Sequence, residues 1–414
     1  MKTFLRTPLI IIGLLVIGLA SCKKSGVNPK PGGKNLVIAA DEVPEITADN
    51  AFAIRLFKSV DSTNTGGANL FISPLSVSFA LGMTSNGANS ATLTAFKKTL
   101  NFAGLSQSQI NDYYNNLITN LPQLDPNTTL DIANSIWYRQ GFSVLPQFLH
   151  TDSTDFHAQA QGLDFTSASA PNTINNWVNT NTHGFIPAII KNIPGDAVMY
   201  LVNAMYFKSS WQTKFDPGQT RPAPFYLANS STVQTDFMNG SVGFNFYNDG
   251  NASVFELPYS NNKFSMVIVE PGYNSSLANV IAGLDSAKWQ TWITNLKPTS
   301  GNISLPKFSF SYGALLNGPL TNMGLGVAFS DNADFSLINP SIRMKISQVV
   351  HKAFVETDES GTTAAAATSV GVTAATAPAP IPPINHPFLF AIREMNTGII
   401  LFIGTVNNPT LSGD

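Results

Sequence analysis

The chain has 414 residues, enough for one large core or two ordinary ones. Its 23 Lys and Arg nearly balance 25 Asp and Glu, so the net charge of −2 offers no basic field to hold nucleic acid. Only 12% of residues are charged, about half the usual share, and the single Cys rules out a disulfide framework or a zinc site built on several thiolates.

Lys2 and Arg6 precede an eleven-residue apolar run, Leu9 to Leu19. That is too short to cross a bilayer, which takes about 20 residues, and suits the core of a signal peptide over residues 1–21. Leu19-Ala20-Ser21-Cys22 resembles a bacterial lipobox, which implies cleavage before Cys22 and lipid on its sulfur. Export and a lipid anchor in an envelope membrane follow, facing the periplasm or the outside. Loss of Lys2 and Arg6 takes the net charge from −2 to −4. Lys23 to Asn35 is rich in Gly, Pro and Lys, so residues 22–40 read as the lipidated Cys and a flexible tether. The folded domain is expected over 41–414.

Thr47-Ala48-Asp49-Asn50 offers helix caps before Phe52, Leu56, Phe57 and Val60, an amphipathic spacing. A second helix is expected over Leu70 to Asn86, opened by Ser73-Pro74 and apolar enough to be buried on most sides. Val254 to Tyr259 and Lys263 to Val269 flank Ser260-Asn261-Asn262 as a hairpin. Phe388 to Arg393 and Ile399 to Val406 flank Asn396-Thr397-Gly398 as another. Helical and strand patterns mix without a βαβ repeat, so the class is α+β.

One stretch stands apart. Glu359 to His386 carries one charge at its start, four consecutive alanines (Ala364 to Ala367), and Pro378, Pro380, Pro382 and Pro383 near its end. A loop this long within a domain is usually functional or disordered. Its small and β-branched residues could enter a crowded sheet, and the prolines beyond Ala377 could not continue the strand.

These pieces together resemble the serpin family across nearly all of 45–410. The most specific block is Val350-His351-Lys352-Ala353-Phe354-Val355-Glu356 followed by Glu359-Ser360-Gly361-Thr362-Thr363-Ala364-Ala365-Ala366-Ala367-Thr368. Asn69 to Ser76 resembles the family's early helix. Leu201 to Lys208, with Trp211 and Phe215, resembles its central strand. His386 to Phe390 and Leu401 to Gly404, ending at Asn408-Pro409, resemble its C-terminus. The resemblance implies three β-sheets, about nine helices and an exposed reactive loop. A target protease cuts that loop, which then enters the main sheet as a strand with the protease held as an acyl-enzyme.

The loop's residues fit that motion. From Thr362, alternate positions Ala364, Ala366, Thr368, Val370, Val372 and Ala374 form one face without charge, bulk or Pro. A dozen or so ladder bonds at about 1 kcal/mol each supply on the order of 10 kcal/mol before ordering entropy is counted. Counting fourteen residues on from Gly361, as in inhibitory members, puts the cut between Ala375 and Thr376, with Ala374 or Thr376 as the alternative residue before the cut. Small residues suit a shallow primary pocket, so elastase-like or subtilisin-like serine proteases are the expected targets, with a papain-like cysteine protease left open.

By resemblance, Ser73, Ser76, Asn203 and His351 form the shutter where the sheet parts, and Trp211 stands at its upper breach. Lys307 and Glu359 form a salt bridge at the loop base. None of these is catalytic, and the protein is expected to be a monomer without cofactor or metal. Gly-x-Ser-x-Gly and His-Glu-x-x-His are absent, which weighs against a hydrolase. The alternative reading is a non-inhibitory surface lipoprotein of the same fold that binds a ligand or partner.

Overall fold

The computed structural model describes Met1 and residues 33–38, 43–64, 66–362 and 383–413. Every element below belongs to the unit Gly33–Asp414. Cys22, hinge residues Thr363, Ala364, Ala365, Ala366, Ala367 and Thr368, and the bond Ala375–Thr376 lie outside the described residues.

Helix α1 (Val43–Asp61) buries Phe52, Leu56, Phe57 and Val60. It starts earlier than its side-chain caps suggested, because Pro44 and Glu45 already suit a first turn. Leu70–Ile72 is a strand, β1, rather than part of a helix. Ser73 then caps α2 (Pro74–Asn86), its side chain accepting from the Ser76 N–H, and almost every residue of α2 is buried. Next come α3 (Ser90–Thr99) and α4 (Gln107–Asn120), the latter started by a Ser106/Gln109 capping box. They are followed by β2 (Thr129–Arg139), α5 (Pro146–Asp155), β3 (Gln159–Leu163), α6 (Ala170–Asn181) and β4 (Met199–Ser210).

Strands β5 (Arg221–Tyr226), β6 (Thr232–Asn248), β7 (Ala252–Pro258) and β8 (Phe264–Pro271) lead to α7 (Leu277–Ala282) and α8 (Ser286–Asn295). Then come β9 (Lys297–Pro306), β10 (Phe308–Leu315), the short α9 (Asn317–Leu320), β11 (Val350–Asp358) and β12 (Gly361–Thr362). The hairpin β13 (Phe388–Glu394) and β14 (Ile400–Val406) ends the fold, buried along its whole length. Both hairpins expected from sequence, β7–β8 and β13–β14, are present and antiparallel.

Among the described residues the strands form two sheets. The larger runs β1-β14-β13-β8-β7-β6-β5, with β9 also on β6. The expected third sheet is continuous with it, because the long β6 pairs β5 through one half and β9 and β7 through the other. The smaller runs β10-β11-β12-β4-β2-β3. The core lies between the sheets and around α2, where Phe71 stacks on Phe390 and Phe402.

The rims of the six-stranded sheet are handled differently. At one, β3 is five residues long and largely exposed, with no β-branched residue. At the other, Ser412 and Gly413 lie on β10: the Ser311 N–H donates to the Ser412 carbonyl, and Gly413 bridges Ser311 in parallel.

Gly33–Ile38, read from sequence as tether, packs on the body. Leu36 is only 2% exposed, the Asn396 amide donates to its carbonyl, and the Lys263 ammonium donates to Asn35 Oδ1. The apolar Leu36 ends the solvated stretch, and its burial outweighs the loop-like character of its neighbours.

Candidate functional site

The site is the seam between β4 and β11. Among the described residues these strands are nowhere hydrogen-bonded to each other. The two residues of β12 stand between them, antiparallel to both. Gly361 lies opposite Ser210 and Asp358, and Thr362 opposite Ser209 and Thr357.

Why the chain turns here follows from local bonds. The Asp358 carboxylate accepts from the Ser360 and Gly361 N–H groups, closing a tight turn after β11. Gly361 has φ +153°, and a Cβ on it would lie 2.0 Å from the Ser209 carbonyl oxygen. Only glycine allows that approach. Thr362 points into the core, its hydroxyl 2.5 Å from that of buried Tyr259.

Trp211 closes the upper end. Its backbone N–H donates to the Ser360 carbonyl at 2.9 Å and its indole N–H to the Asp358 carbonyl at 2.8 Å. Its ring stacks on Tyr259 with centroids 4.7 Å apart. Beside it the Lys307 ammonium lies 2.9 Å from Glu359 Oε2, and the Thr220 hydroxyl donates to Oε1 at 2.6 Å. Burial works to raise the Glu359 pKa. The hydrogen bonds from Thr220 and Lys307 more than offset it and hold the carboxyl below its ordinary value. The sequence pairing of Lys307 with Glu359 is thus present as geometry.

Lower down the seam a cavity of about 550 Å³ opens, lined by Ser76, Thr84, Tyr200, Asn203, Ile346 and His351 among others. The Ser73 N–H donates to His351 Nε2 at 3.0 Å, which places the proton of the neutral ring on Nδ1. The Ser73 hydroxyl donates to the Leu401 carbonyl and accepts from the Ser76 N–H. Burial lowers the His351 pKa to about 4, so the ring is neutral at pH 7. Ser73, Ser76 and His351 therefore form one linked group.

Asn203 does not join them. Its amide donates to Asn134 Oδ1 on β2 at 2.8 Å, and its own Oδ1 is buried without a hydrogen-bond partner. Sequence reasoning missed Asn134, Tyr259 and Thr220. Each meets the site only through pairing across the chain, and no local motif marks it.

With this geometry in place, comparison with known proteins decides the family. The family model for serpin (serine protease inhibitor) matches residues 47–409. The chain is a serpin. It is 34% identical over 375 residues to the leukocyte elastase inhibitor of Sus scrofa, covering 87% of this chain and 98% of that one. The thermophilic serpin tengpin in its native state superposes with a TM-score of 0.81 at 35% identity, covering 91% of this serpin and 96% of tengpin. Human thyroxine-binding globulin in complex with thyroxine superposes with a TM-score of 0.82 at 30% identity, covering 90% of this serpin and 100% of the globulin. The serpin belongs to a family of protease inhibitors and is not an enzyme. The globulin's name records thyroxine binding on the same fold, so the backbone alone does not separate trapping a protease from binding a ligand.

Proposed function

We propose that this serpin is a suicide-substrate inhibitor of a serine endopeptidase, cut near Ala375–Thr376, which then adds its loop to the six-stranded sheet between β4 and β11. The position of β12 carries this reading: the loop's first two residues already stand in register with both strands. Continued at that register, Thr368 falls opposite Asn203 and His351. Its hydroxyl would arrive beside the unpartnered Asn203 Oδ1 and the cavity. Thr362 faces the core, so Ala364, Ala366, Thr368 and Val370 take the same buried face, and none carries charge.

The small residues at the cut favour elastase-like or subtilisin-like targets, in keeping with the name of the porcine relative. The test is a mixture of the purified protein with pancreatic elastase, run on a denaturing gel with mass spectrometry of the released peptide. A stable band at the summed mass and a cut after Ala375 are expected. Clean cleavage without a complex, for elastase, subtilisin and papain alike, would leave the ligand-binding alternative instead.

The lipobox-like Leu19-Ala20-Ser21-Cys22 supports a second part of the reading: export and lipid anchoring of the protein through Cys22 to an envelope membrane. Radiolabelled palmitate should enter the parent protein and not Cys22→Ala. Surface labelling of intact cells separates outward from periplasmic display.

A further inference from the structure

We propose that the cavity of the lower seam is a binding site for a small, uncharged, largely apolar molecule that carries one hydroxyl group, an alcohol or a phenol, and that its occupant competes with a strand entering between β4 and β11. The binding stands on the cavity alone. The competition rests on the insertion reading above.

The cavity is held open by the way its walls are tied. Val77, Ala80 and Leu81 of α2, Val202 of β4, and Met344 and Ile346 ahead of β11 give it an apolar lining. The irregular parts of the wall are bonded to neighbours outside the cavity. The Asn175 side chain of α6 donates to the Ile190 carbonyl at 2.7 Å and accepts from the Ile189 and Ile190 N–H groups at 2.9 Å. The Ile346 N–H donates to the Ala328 carbonyl at 2.9 Å. Asn317 accepts from the Val349 N–H, and its amide donates to the Ser347 carbonyl. Closing the space would break these bonds. Protein interiors are close-packed, and voids larger than a water molecule are few. This one, of about 550 Å³, falls in the range of about 300–1,000 Å³ that small-molecule pockets occupy.

The polar groups of the wall select the head group. Alternation along β4 puts Asn203 on the side of Met205 and Phe207, and Tyr200 on the other side, where its ring meets Phe165. His351 turns to the same side as Asn203, since its Nε2 accepts from the Ser73 N–H just ahead of α2. With Nε2 taken, the neutral ring keeps its N–H at Nδ1 as a donor. Asn203 Oδ1 is an acceptor, buried without a partner. A hydroxyl answers both, accepting from the one and donating to the other. A carboxylate would set oxygen against Asn203 Oδ1, and an ammonium has no lone pair for the imidazole N–H.

The charged residues of the lining argue for an uncharged molecule. Asp196 and Asp331 stand there with Arg343, Lys345 and Lys352, and Lys345 lies 2.6 Å from Asp331. Mixed signs, with one pair already formed, set up no single-sign field to draw an ion in. The lining also joins 199–203 on the β4 side with 343–352 on the β11 side. A molecule bound there fills the space between the two strands, where a third would have to run.

The probe is 2-naphthol and the control naphthalene, each titrated into the purified protein and read by its own fluorescence. The parent should bind 2-naphthol about tenfold more tightly than naphthalene, the advantage of one hydrogen bond to a buried unpartnered group. Asn203→Leu should lose that preference and still bind both. Ile346→Trp, at a half-buried position in the irregular chain ahead of β11, should fill the space and bind neither, and it carries the test should Asn203→Leu fail to fold. No binding by the parent, or unchanged binding in Ile346→Trp, would overturn the site. Equal affinity of the parent for the two probes would overturn the hydroxyl assignment. Competition is read with the parent and pancreatic elastase, at probe concentrations that leave elastase activity on a small chromogenic substrate unchanged. Saturating 2-naphthol should lower the yield of covalent complex several-fold in favour of cut, free protein. An unchanged yield with the site filled would overturn the competition and leave the binding intact. No complex even without probe would remove the insertion reading and the competition with it, while the titration still decides the site.

Discussion

The upper and lower parts of the seam are built to opposite standards. Above, β12 is bonded on both sides, Trp211 is held by two carbonyls, and Glu359 has two donors. Below, a cavity stands between β4 and β11, a neutral imidazole depends on a single backbone N–H, and Asn203 Oδ1 has no partner. Close packing and satisfied polar groups are the rule for protein interiors. The lower seam departs from that rule, with a cavity and an unpartnered buried oxygen where the upper seam has paired backbone and satisfied side chains.

Gly361→Ala should break the comparison most severely. The added Cβ meets the Ser209 carbonyl at 2.0 Å, so β12 must leave its place. A backbone site of this kind holds on the order of 1–3 kcal/mol, and the yield of covalent complex with elastase should fall about tenfold or more while loop cleavage persists. An unchanged yield would mean that β12 is not the starting point of insertion.

The lower seam can be tested by pH. His351 has its pKa lowered by burial from 6.5 to about 4. The unfolded chain takes up the proton first, so the His351 contribution is complete above about pH 6.5 and is lost as pH falls through about 4. At 1.36 kcal/mol per unit the loss is roughly 3 kcal/mol. Denaturant unfolding between pH 7 and 4 should show this slope in the parent and a flatter one in His351→Gln. Parallel curves would show that His351 does not carry it.

Thr357→Val sharpens the picture of the upper seam by a smaller amount. The Thr357 hydroxyl is buried without a partner directly opposite Thr362. Replacing it by a methyl should be neutral or stabilise the protein by about 1 kcal/mol, measured by urea unfolding. Loss of stability would reveal a partner for that oxygen.

Glu359→Gln should have the least effect. The Lys307 side chain is 37% exposed, so the pair contributes at most about 1 kcal/mol. Since the Glu359 pKa is lowered on folding, what it contributes is present at neutral pH and lost as pH falls through the carboxylate range. Melting at pH 7 and pH 3 should show the difference between parent and variant only at pH 7.

Much of this was legible in the sequence. The two hairpins came from alternation bounded by turn residues. Lys307 and Glu359 were paired correctly, although 52 residues separate them. What local pattern could not supply was the partner of each buried polar group. Asn203 bonds Asn134, 69 residues away, and only the register of β4 on β2 brings them together. Leu36 was lost among Gly, Pro and Lys because burial is decided by the surface it meets.

The two rims of the six-stranded sheet bear on all of this. If the loop enters the sheet as proposed above, the margins must refuse strands, or other chains would join there. The five residues of β3, Gln159-Ala160-Gln161-Gly162-Leu163, make a poor template: short, three of the five amide or glycine, and without a β-branched side chain. On the opposite margin Ser412 and Gly413 lie against Ser311 of β10. On the insertion proposed above, selectivity for the loop begins with exclusion of other strands at these margins, and removal of the Ser412 contact would leave the Ser311 N–H open to another chain.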